Sequence, residues 1–479
     1  MLETPPHDRR ESLFVLEEGT PHASAVMARK KTLLSVPVLQ TAKERDNLPP
    51  EVWDDIMQHS DLLYFSFLYL SAAVMWAFYS CMSAQDFYQL QFPETKFSFL
   101  TTLATSWPQV IGHLTQLLFG LDRTIPQSTR FISGFVMFMV MAVCIMLLSA
   151  VPWGSHTTLG ATLVLVCIGV TGLANSIPQS VLYALAALFP MERFTNAVQI
   201  GNVCAGVVNV TLNTMLRLMI GGLHQTANTQ QLSFYLFFSL LLVVCVVAIL
   251  VYRRLMLLPC MQYLVARSAM LNSQEREQQF EGGQLQQPQS SVAHRVHNLV
   301  RVFRLIATPA VAQFLVFFVS LFVYPGVACA AGRVLDESDT ASKWFCSPGI
   351  VGSFNYGDCI GRIICTAAVY RIFTVRRSLI LIILRIVFIP LLLMNVYGTS
   401  LYVFGDDAVA PLMYGLVMNL LVGLSGGLLS TVTMGSAPLL VGREDREAAS
   451  GVMVLFLFLG LSCGSLMGYI VTTLHWFGL

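Results

Sequence analysis

Two oppositely charged residues, Asp358 and Arg362, stand inside a long apolar stretch of the sequence. A charged side chain in an apolar environment is costly unless it is paired or hydrated. Residues four apart share one face of a helix, so the two side chains can touch, and Asn355 lies on the same face one turn earlier. One interpretation is a structural ion pair that joins two helices. The other is a net-neutral site that binds an uncharged polar ligand through Asn355, the carboxylate and the guanidinium.

Other polar and aromatic side chains interrupt the apolar stretches. Gln179 follows Pro178, which frees a helical carbonyl and helps to open a cavity. Its amide offers a donor and an acceptor to the edge of a heterocyclic base, although a contact between helices is an equal alternative. A buried indole presents a flat face for stacking. These considerations select as candidate pocket residues Trp76, Gln109, Asn175, Gln179 and Tyr324.

A second group of residues suits structural roles. Arg385 is predicted to hold its helix to a carboxylate or to backbone carbonyls. Gly201 and Gly206 permit a neighbouring helix to approach closely. Arg217, near one end of an apolar stretch, is predicted to reach the lipid headgroups. Cys329 and Cys346 flank a predicted loop and could form a disulfide.

The motifs of several enzyme classes are missing from the sequence. There is no P-loop, no metal-ligand spacing and no nucleophile elbow, so we expect no enzymatic activity, no metal and no cofactor. The formal net charge is +1, which gives no indication of a nucleic-acid partner.

The composition identifies the lipid bilayer as the main solvent of the chain. Of its 479 residues, 55% are hydrophobic and 11% charged, whereas about a quarter of a soluble domain is charged. Crossing a bilayer takes about 20 mostly apolar residues. The sequence predicts an all-α polytopic membrane protein with eleven transmembrane helices, at 62–83, 97–120, 130–152, 157–189, 195–221, 232–256, 306–328, 347–370, 377–398, 407–435 and 447–475.

The distribution of basic residues predicts the orientation. Alternate loops and the N-terminal segment carry most of the arginines and lysines, whereas the opposite loops carry only Lys96, Arg333 and Lys343. Because cytoplasmic loops retain basic residues, we expect a cytoplasmic N-terminus and an extracellular C-terminus. We also expect the protein to lie in the plasma membrane.

The longest internal loop divides the chain into two groups of spans. We predict a mobile cytoplasmic segment at 1–61, an N-terminal bundle of six spans at 62–256, a linker at 257–305 and a C-terminal bundle of five spans at 306–479. The Gln-rich stretch 272–291 of the linker is predicted to be disordered. Transporters built from two such bundles bind their substrate between them.

Several motifs occur in order along the chain. They are IPQSTR at 125–130, Gln179 before a glycine-rich fifth span, NYGDCIGR at 355–362, RIVFIP at 385–390 and EAASG at 447–451. In these motifs the sequence resembles the equilibrative nucleoside transporter family. The resemblance implies 6+5 bundles of the major-facilitator type, alternating access, and a nucleoside or nucleobase substrate. It also implies that Trp76 and Gln179 contact the base, with Asp358 and Arg362 near the sugar or on the far side of the ligand.

Three positions depart from the pattern of mammalian members. Met75 and Ala77 flank Trp76, and Val203 replaces a glycine, which looks more like the protozoan branch, where purine uptake is typical and sometimes proton-coupled. Asp358 is the first candidate proton carrier, but Arg362 opposes its protonation, so coupling stays open. Two rivals also remain: a transporter of another small polar solute on the same fold, and a non-transporting membrane receptor.

Overall fold

The computed structural model describes residues 48–473, except 94, 96, 121–124, 190, 282–288, 330–343, 366–374, 397–399, 406, 408, 443 and 444. The chain divides into two units between Gln58 and His59. In the first unit, helix α1 (Pro50–Gln58) begins with a proline and has Glu51 in its first turn, and both features favour a helix start. The rest of the predicted N-terminal segment, residues 1–47, lies outside the described residues.

The second unit is built from helices. Their bounds are α2 Ser60–Ser83, α3 Gln85–Gln91, α4 Phe97–Phe119, α5 Gln127–Ala150, α6 Thr157–Ala187, α7 Glu192–Gly221, α8 Ala227–Leu255, α9 Pro259–Glu281, α10 Gln289–Leu305, α11 Ala307–Val323, α12 Val351–Ile364, α13 Val375–Leu384, α14 Phe388–Leu393, α15 Ala410–Ser436 and α16 Arg446–Thr473. The all-helical prediction is therefore confirmed for the described part of the chain.

Among the described residues, eight helices are long and apolar enough to cross a membrane. They are α2, α5, α6, α7, α8, α11, α15 and α16. Helix α4 occupies the predicted second span. The predicted eighth and ninth spans hold shorter helices, α12 and the pair α13 and α14. A 3₁₀ turn at Arg385–Val387 separates α13 from α14. The count of eleven transmembrane helices thus stays a prediction.

The linker differs from the sequence prediction. Helix α9 continues to Glu281 and helix α10 begins at Gln289, so residues 272–281 and 289–291 are helical rather than disordered. Gln, Glu and Arg are good helix formers, and their polarity alone does not prevent a solvated helix. Residues 282–288 fall outside the description.

Small residues let the helices approach closely. On α16, glycine occurs at every fourth position from Gly460 through Gly464 to Gly468. A Cβ added at any of the three would overlap a backbone carbonyl of α11. A Cβ at Gly201 of α7 would overlap the Leu68 carbonyl of α2 in the same way. Association between membrane helices depends on such close packing, which supports the structural assignment of Gly201.

The largest contacts between helices follow the predicted grouping. Within the predicted N-terminal bundle, α2 packs on α7 and α4 on α6. Within the C-terminal one, α12 packs on α15 and α11 on α16. Across the two groups, α4 contacts α16 and α7 contacts α12. The division at the linker remains a prediction. A disulfide joins Cys329 and Cys346, as their flanking positions suggested.

Candidate functional site

The carboxylate of Asp358 and the guanidinium of Arg362 contact each other on α12. Arg362 Nε lies 3.4 Å from Asp358 Oδ1, and Nη2 lies 3.3 Å from Oδ2. Both side chains are 11% exposed. The four-residue spacing therefore gives the predicted contact. In this position each charge depends on the other, because a buried ion that loses its partner is left uncompensated.

Glycines bring α12 against α15 at the level of this pair. A Cβ at Gly357 or Gly361 would overlap backbone atoms of α15, and one at Gly423 would overlap the backbone of α12. Gly427 lies against the Asp358 backbone, and its Cβ would stand 2.6 Å from the carboxylate oxygen Oδ1. The Asp358 carboxylate therefore packs against the backbone of α15 where that helix carries glycines, and this close packing restricts the position of the carboxylate.

Asn355 lies one turn before Asp358 and faces α7. Its Nδ2 donates to the Val351 carbonyl at 2.9 Å, while its buried Oδ1 has no hydrogen-bond partner among the described residues. A Cβ at Gly206 would overlap this Oδ1 and lie 2.9 Å from Cζ of Tyr79 on α2. Gly206 therefore leaves room for the side chains of α2 and α12 to meet.

Tyrosines complete the polar cluster. The Tyr324 ring stacks on Phe354, with centroids 4.0 Å apart, and its buried hydroxyl lies against the Asn355 side chain. The side chains of Tyr79 and of Tyr183 on α6 lie near Arg362. Neither Tyr79 nor Tyr183 was among the site residues predicted from the sequence. Tyr79 follows Trp76 by three residues and Tyr183 follows Gln179 by four, so helical spacing from the candidates could have found them.

A second polar group lies between α4 and α6. Gln109 Nε2 donates to Gln179 Oε1 at 3.3 Å, and both amides are buried. One turn along α6, Asn175 is buried with neither amide atom bonded to a described residue, and the indole N–H of Trp76 is likewise unbonded. No hydrogen bond within the described residues joins these side chains to the Asp358–Arg362 pair.

Arg385 is buried among backbone and hydroxyl acceptors. Its guanidinium donates to the carbonyls of Val316 and Val422 at 3.0 and 2.9 Å. It also donates to the hydroxyls of Ser320 and Ser425 at 2.9 and 3.0 Å. These contacts tie the 3₁₀ turn between α13 and α14 to α11 and α15 and support the structural role predicted for Arg385.

The prediction that Arg217 reaches the lipid headgroups is wrong. The side chain is buried, its Nη1 donates to the Ser347 carbonyl at 2.7 Å, and its guanidinium lies 4.6 Å from the centre of the Trp344 ring. The carbonyl and the aromatic face offer the cation partners within the protein.

Helices α7 and α12 run antiparallel, and we call their contact the α7–α12 seam. From Cys204 to Arg217 along α7, the partner residues run from Cys359 back to Ser347, which is the antiparallel direction. The contacts are Cys204 with Cys359, Gly206 with Asn355, Thr211 with Tyr356 and Arg217 with Ser347. The Thr211 and Tyr356 hydroxyls lie 2.6 Å apart. The seam joins the two predicted bundles beside the ion pair.

These features define a class of protein: a polytopic helical membrane protein with a buried, net-neutral polar site. Among solved structures, the major facilitator superfamily proton:xylose symporter XylE from E. coli aligns over 87% of this chain and 96% of that chain. The TM-score is 0.51 and the identity 10%, which indicates a similar fold. The model of the family described as "Nucleoside transporter" matches residues 165–473. The chain belongs to the nucleoside transporter family.

Two relatives illustrate the match. Equilibrative nucleoside transporter 2 of Mus musculus is 32% identical over 180 residues, which cover 36% of this chain and 38% of that protein. Equilibrative nucleotide transporter 1 of Arabidopsis thaliana is 22% identical over 396 residues, 81% of both chains. The match to the mouse protein thus spans less than half of its length. The family and the similar folds are those of transporters rather than enzymes.

Proposed function

We propose that this protein carries nucleosides, nucleobases or both across a membrane by alternating access, with purines favoured. The observation that carries the proposal is the buried Asp358–Arg362 pair beside the α7–α12 seam, in a chain of the nucleoside transporter family. A net-neutral pair suits an uncharged substrate, because it offers acceptors and donors without attracting a net charge.

The proposed substrate contacts use both polar groups. Trp76 and Gln179 contact the base, with Gln109 and Asn175 beside them. Both amide atoms of Asn175 are free of partners among the described residues, which suits the donor and acceptor edge of a base. A buried polar group without a partner costs about 1–3 kcal/mol, and a bound substrate would recover part of that cost.

The sugar side of the proposed site is formed by Asn355, Asp358, Arg362 and Tyr324. The carboxylate accepts hydrogen bonds and the guanidinium donates them, so that a hydroxyl satisfies either group. The buried Asn355 Oδ1, which has no hydrogen-bond partner among the described residues, lies beside Tyr324 and supports this assignment.

Alternating access requires the two predicted bundles to move against each other. The polar contacts described across the seam include the Thr211–Tyr356 and Arg217–Ser347 hydrogen bonds, and Gly206 makes room at its centre for the side chains of Asn355 and Tyr79. A rocking motion that opens it needs only similar free energies for the two states, and the substrate gradient then sets the direction of flux. We place the N-terminus in the cytoplasm, the C-terminus outside and the protein in the plasma membrane.

The test is uptake by purified protein in liposomes. Radiolabelled adenosine, inosine, hypoxanthine, guanine and uridine are supplied with and without a pH gradient. We expect saturable uptake that is greatest for the purine compounds, and a response to the pH gradient would establish proton coupling. Uptake of another solute that none of these compounds inhibits would refute the proposal.

Variants of the charged pair test the site. Asp358→Asn and Arg362→Leu are expected to reduce uptake at least tenfold, because each leaves the other group without its partner. Asp61→Asn is the matched control, since Asp61 forms an exposed ion pair with Arg193 at 2.7 Å on the same unit. Exposed pairs contribute little, so this variant should retain normal uptake. Normal uptake in both pair variants would remove the pair from the mechanism.

A further inference from the structure

Tyr79 lies where α2, α7 and α12 meet. Its Cζ is 2.9 Å from the position of a Cβ at Gly206, and Asn355 Oδ1 lies closer to the same point, so the phenol and the amide oxygen are neighbours. Tyr79 also lies near Asp358 and Arg362. It therefore belongs to the polar cluster, although it is carried by a helix of the other predicted bundle.

The Tyr79 hydroxyl is available for a ligand. Its ring packs edge-on against Phe78, with centroids 5.3 Å apart, and its hydroxyl forms no hydrogen bond within the described residues. The side chain is partly exposed, whereas Trp76 one turn earlier is buried. Beside it, Asn355 Oδ1 is buried without a hydrogen-bond partner in the described part of the molecule, and the Tyr324 hydroxyl lies against the Asn355 side chain.

The chemistry of this cluster matches a sugar better than a base. A ribose presents neighbouring hydroxyls, each of which both donates and accepts. The Asp358 carboxylate accepts, the Arg362 guanidinium donates, and a phenol does both. A bare nucleobase has no hydroxyl to offer. Sites that hydrogen-bond a substrate hydroxyl discriminate strongly against analogues that lack it, because buried polar groups are then left unpaired.

We propose that Tyr79 is a specificity-determining residue whose hydroxyl binds a sugar hydroxyl of the nucleoside. The inference rests on the proposed function and narrows its substrate class. Nucleosides with an intact ribose are preferred over dideoxynucleosides and bare nucleobases.

The test measures how well unlabelled adenosine and 2′,3′-dideoxyadenosine inhibit the uptake of labelled adenosine into liposomes. In the unsubstituted protein, adenosine inhibits at the lower concentration. Tyr79→Phe removes only the hydroxyl, and we expect it to reduce the preference for adenosine by about threefold to tenfold, the loss of one hydrogen bond. The preference is the ratio of the inhibitory concentrations of the two compounds, and this ratio does not depend on the amount of protein reconstituted.

Tyr69→Phe is the matched control. It makes the same change on the same helix, but its hydroxyl donates to the Val244 carbonyl at 3.4 Å, so the preference should persist. An unchanged preference in Tyr79→Phe would overturn this inference alone, as would equal inhibition by the two compounds in the unsubstituted protein. Failure of the unsubstituted protein to take up any nucleoside would overturn the proposed function together with it.

Discussion

At the scale of single residues, Asp358 and Arg362 stabilise each other, because either buried charge would destabilise the protein if its partner were removed. Asp358→Asn or Arg362→Gln leaves one buried charge unpaired, so we expect each to destabilise the protein by about 3 kcal/mol. The double variant removes both charges and should unfold at a higher temperature than either single variant. Thermal unfolding of the four proteins in detergent measures this coupling.

These four proteins form a double-mutant cycle, which tests whether the stability losses of the two single variants add up in the double variant. If the double variant lost the sum of the two single losses, the side chains would not interact, and the 3.3 Å contact would have no energetic meaning. The exposed Asp61–Arg193 pair provides a comparison cycle, in which the expected coupling is small.

Arg385 allows a different prediction, because its partners are carbonyls and hydroxyls rather than a carboxylate. Arg385→Lys keeps the charge but replaces a planar fork by a point donor that cannot reach two neighbouring helices together. We expect a loss of about 2 kcal/mol in stability, measured by thermal unfolding. Arg253→Lys, at an exposed position, serves as the control and should leave the unfolding temperature unchanged.

At the scale of elements, the contact between α12 and α15 depends on where glycine stands. A Cβ at Gly357 would overlap the Leu420 carbonyl, so Gly357→Ala must push the helices apart and should cost about 1–3 kcal/mol. At Gly352 of the same helix a Cβ would meet its nearest neighbour at 3.9 Å, an ordinary contact. Gly352→Ala should therefore be neutral or slightly stabilising, because alanine favours helix.

Thermal unfolding of the two alanine variants decides the point. Equal unfolding temperatures for Gly357→Ala and Gly352→Ala would mean that close backbone approach does not hold α12 on α15. A lower temperature for Gly352→Ala alone would contradict the described packing outright.

At the scale of the whole molecule, alternating access requires the α7–α12 seam to open. Cys204 and Cys359 contact each other across it. Copper(II) phenanthroline, which accepts the electrons as two thiols form a disulfide, should link the helices and reduce uptake severalfold, and dithiothreitol should restore it. Uptake into liposomes is measured, and mass spectrometry identifies the linked peptides.

Cys204→Ser supplies the control, because it removes the crosslink while preserving a small polar side chain. Its uptake should resist the oxidant, which excludes an effect through Cys463 or another thiol. Full uptake by protein whose Cys204–Cys359 disulfide is verified would show that the seam stays closed during transport.

Helical periodicity explains how much of the site was predictable. The contact of Asp358 with Arg362 follows from a four-residue spacing on one helix, a local relation that needs no tertiary information. Tyr79 and Tyr183 stand at helical spacing from Trp76 and Gln179, but their closeness to Arg362 was not predictable, because it depends on how α2 and α6 are turned toward α12. Arg217 was misplaced for the same reason: its partner Ser347 is 130 residues away in the chain.

The sequence by itself determined the helical membrane class, the apolar lengths of most spans and the family, because these depend on composition, short-range periodicity and local motifs. The substrate contacts and the number of spans stay predictions. The tertiary structure decided which side chains surround the ion pair, which acceptors hold Arg385, and that much of the linker is helical. Such neighbours are set by the rotation and close approach of packed helices, and spacing along one chain segment does not encode them.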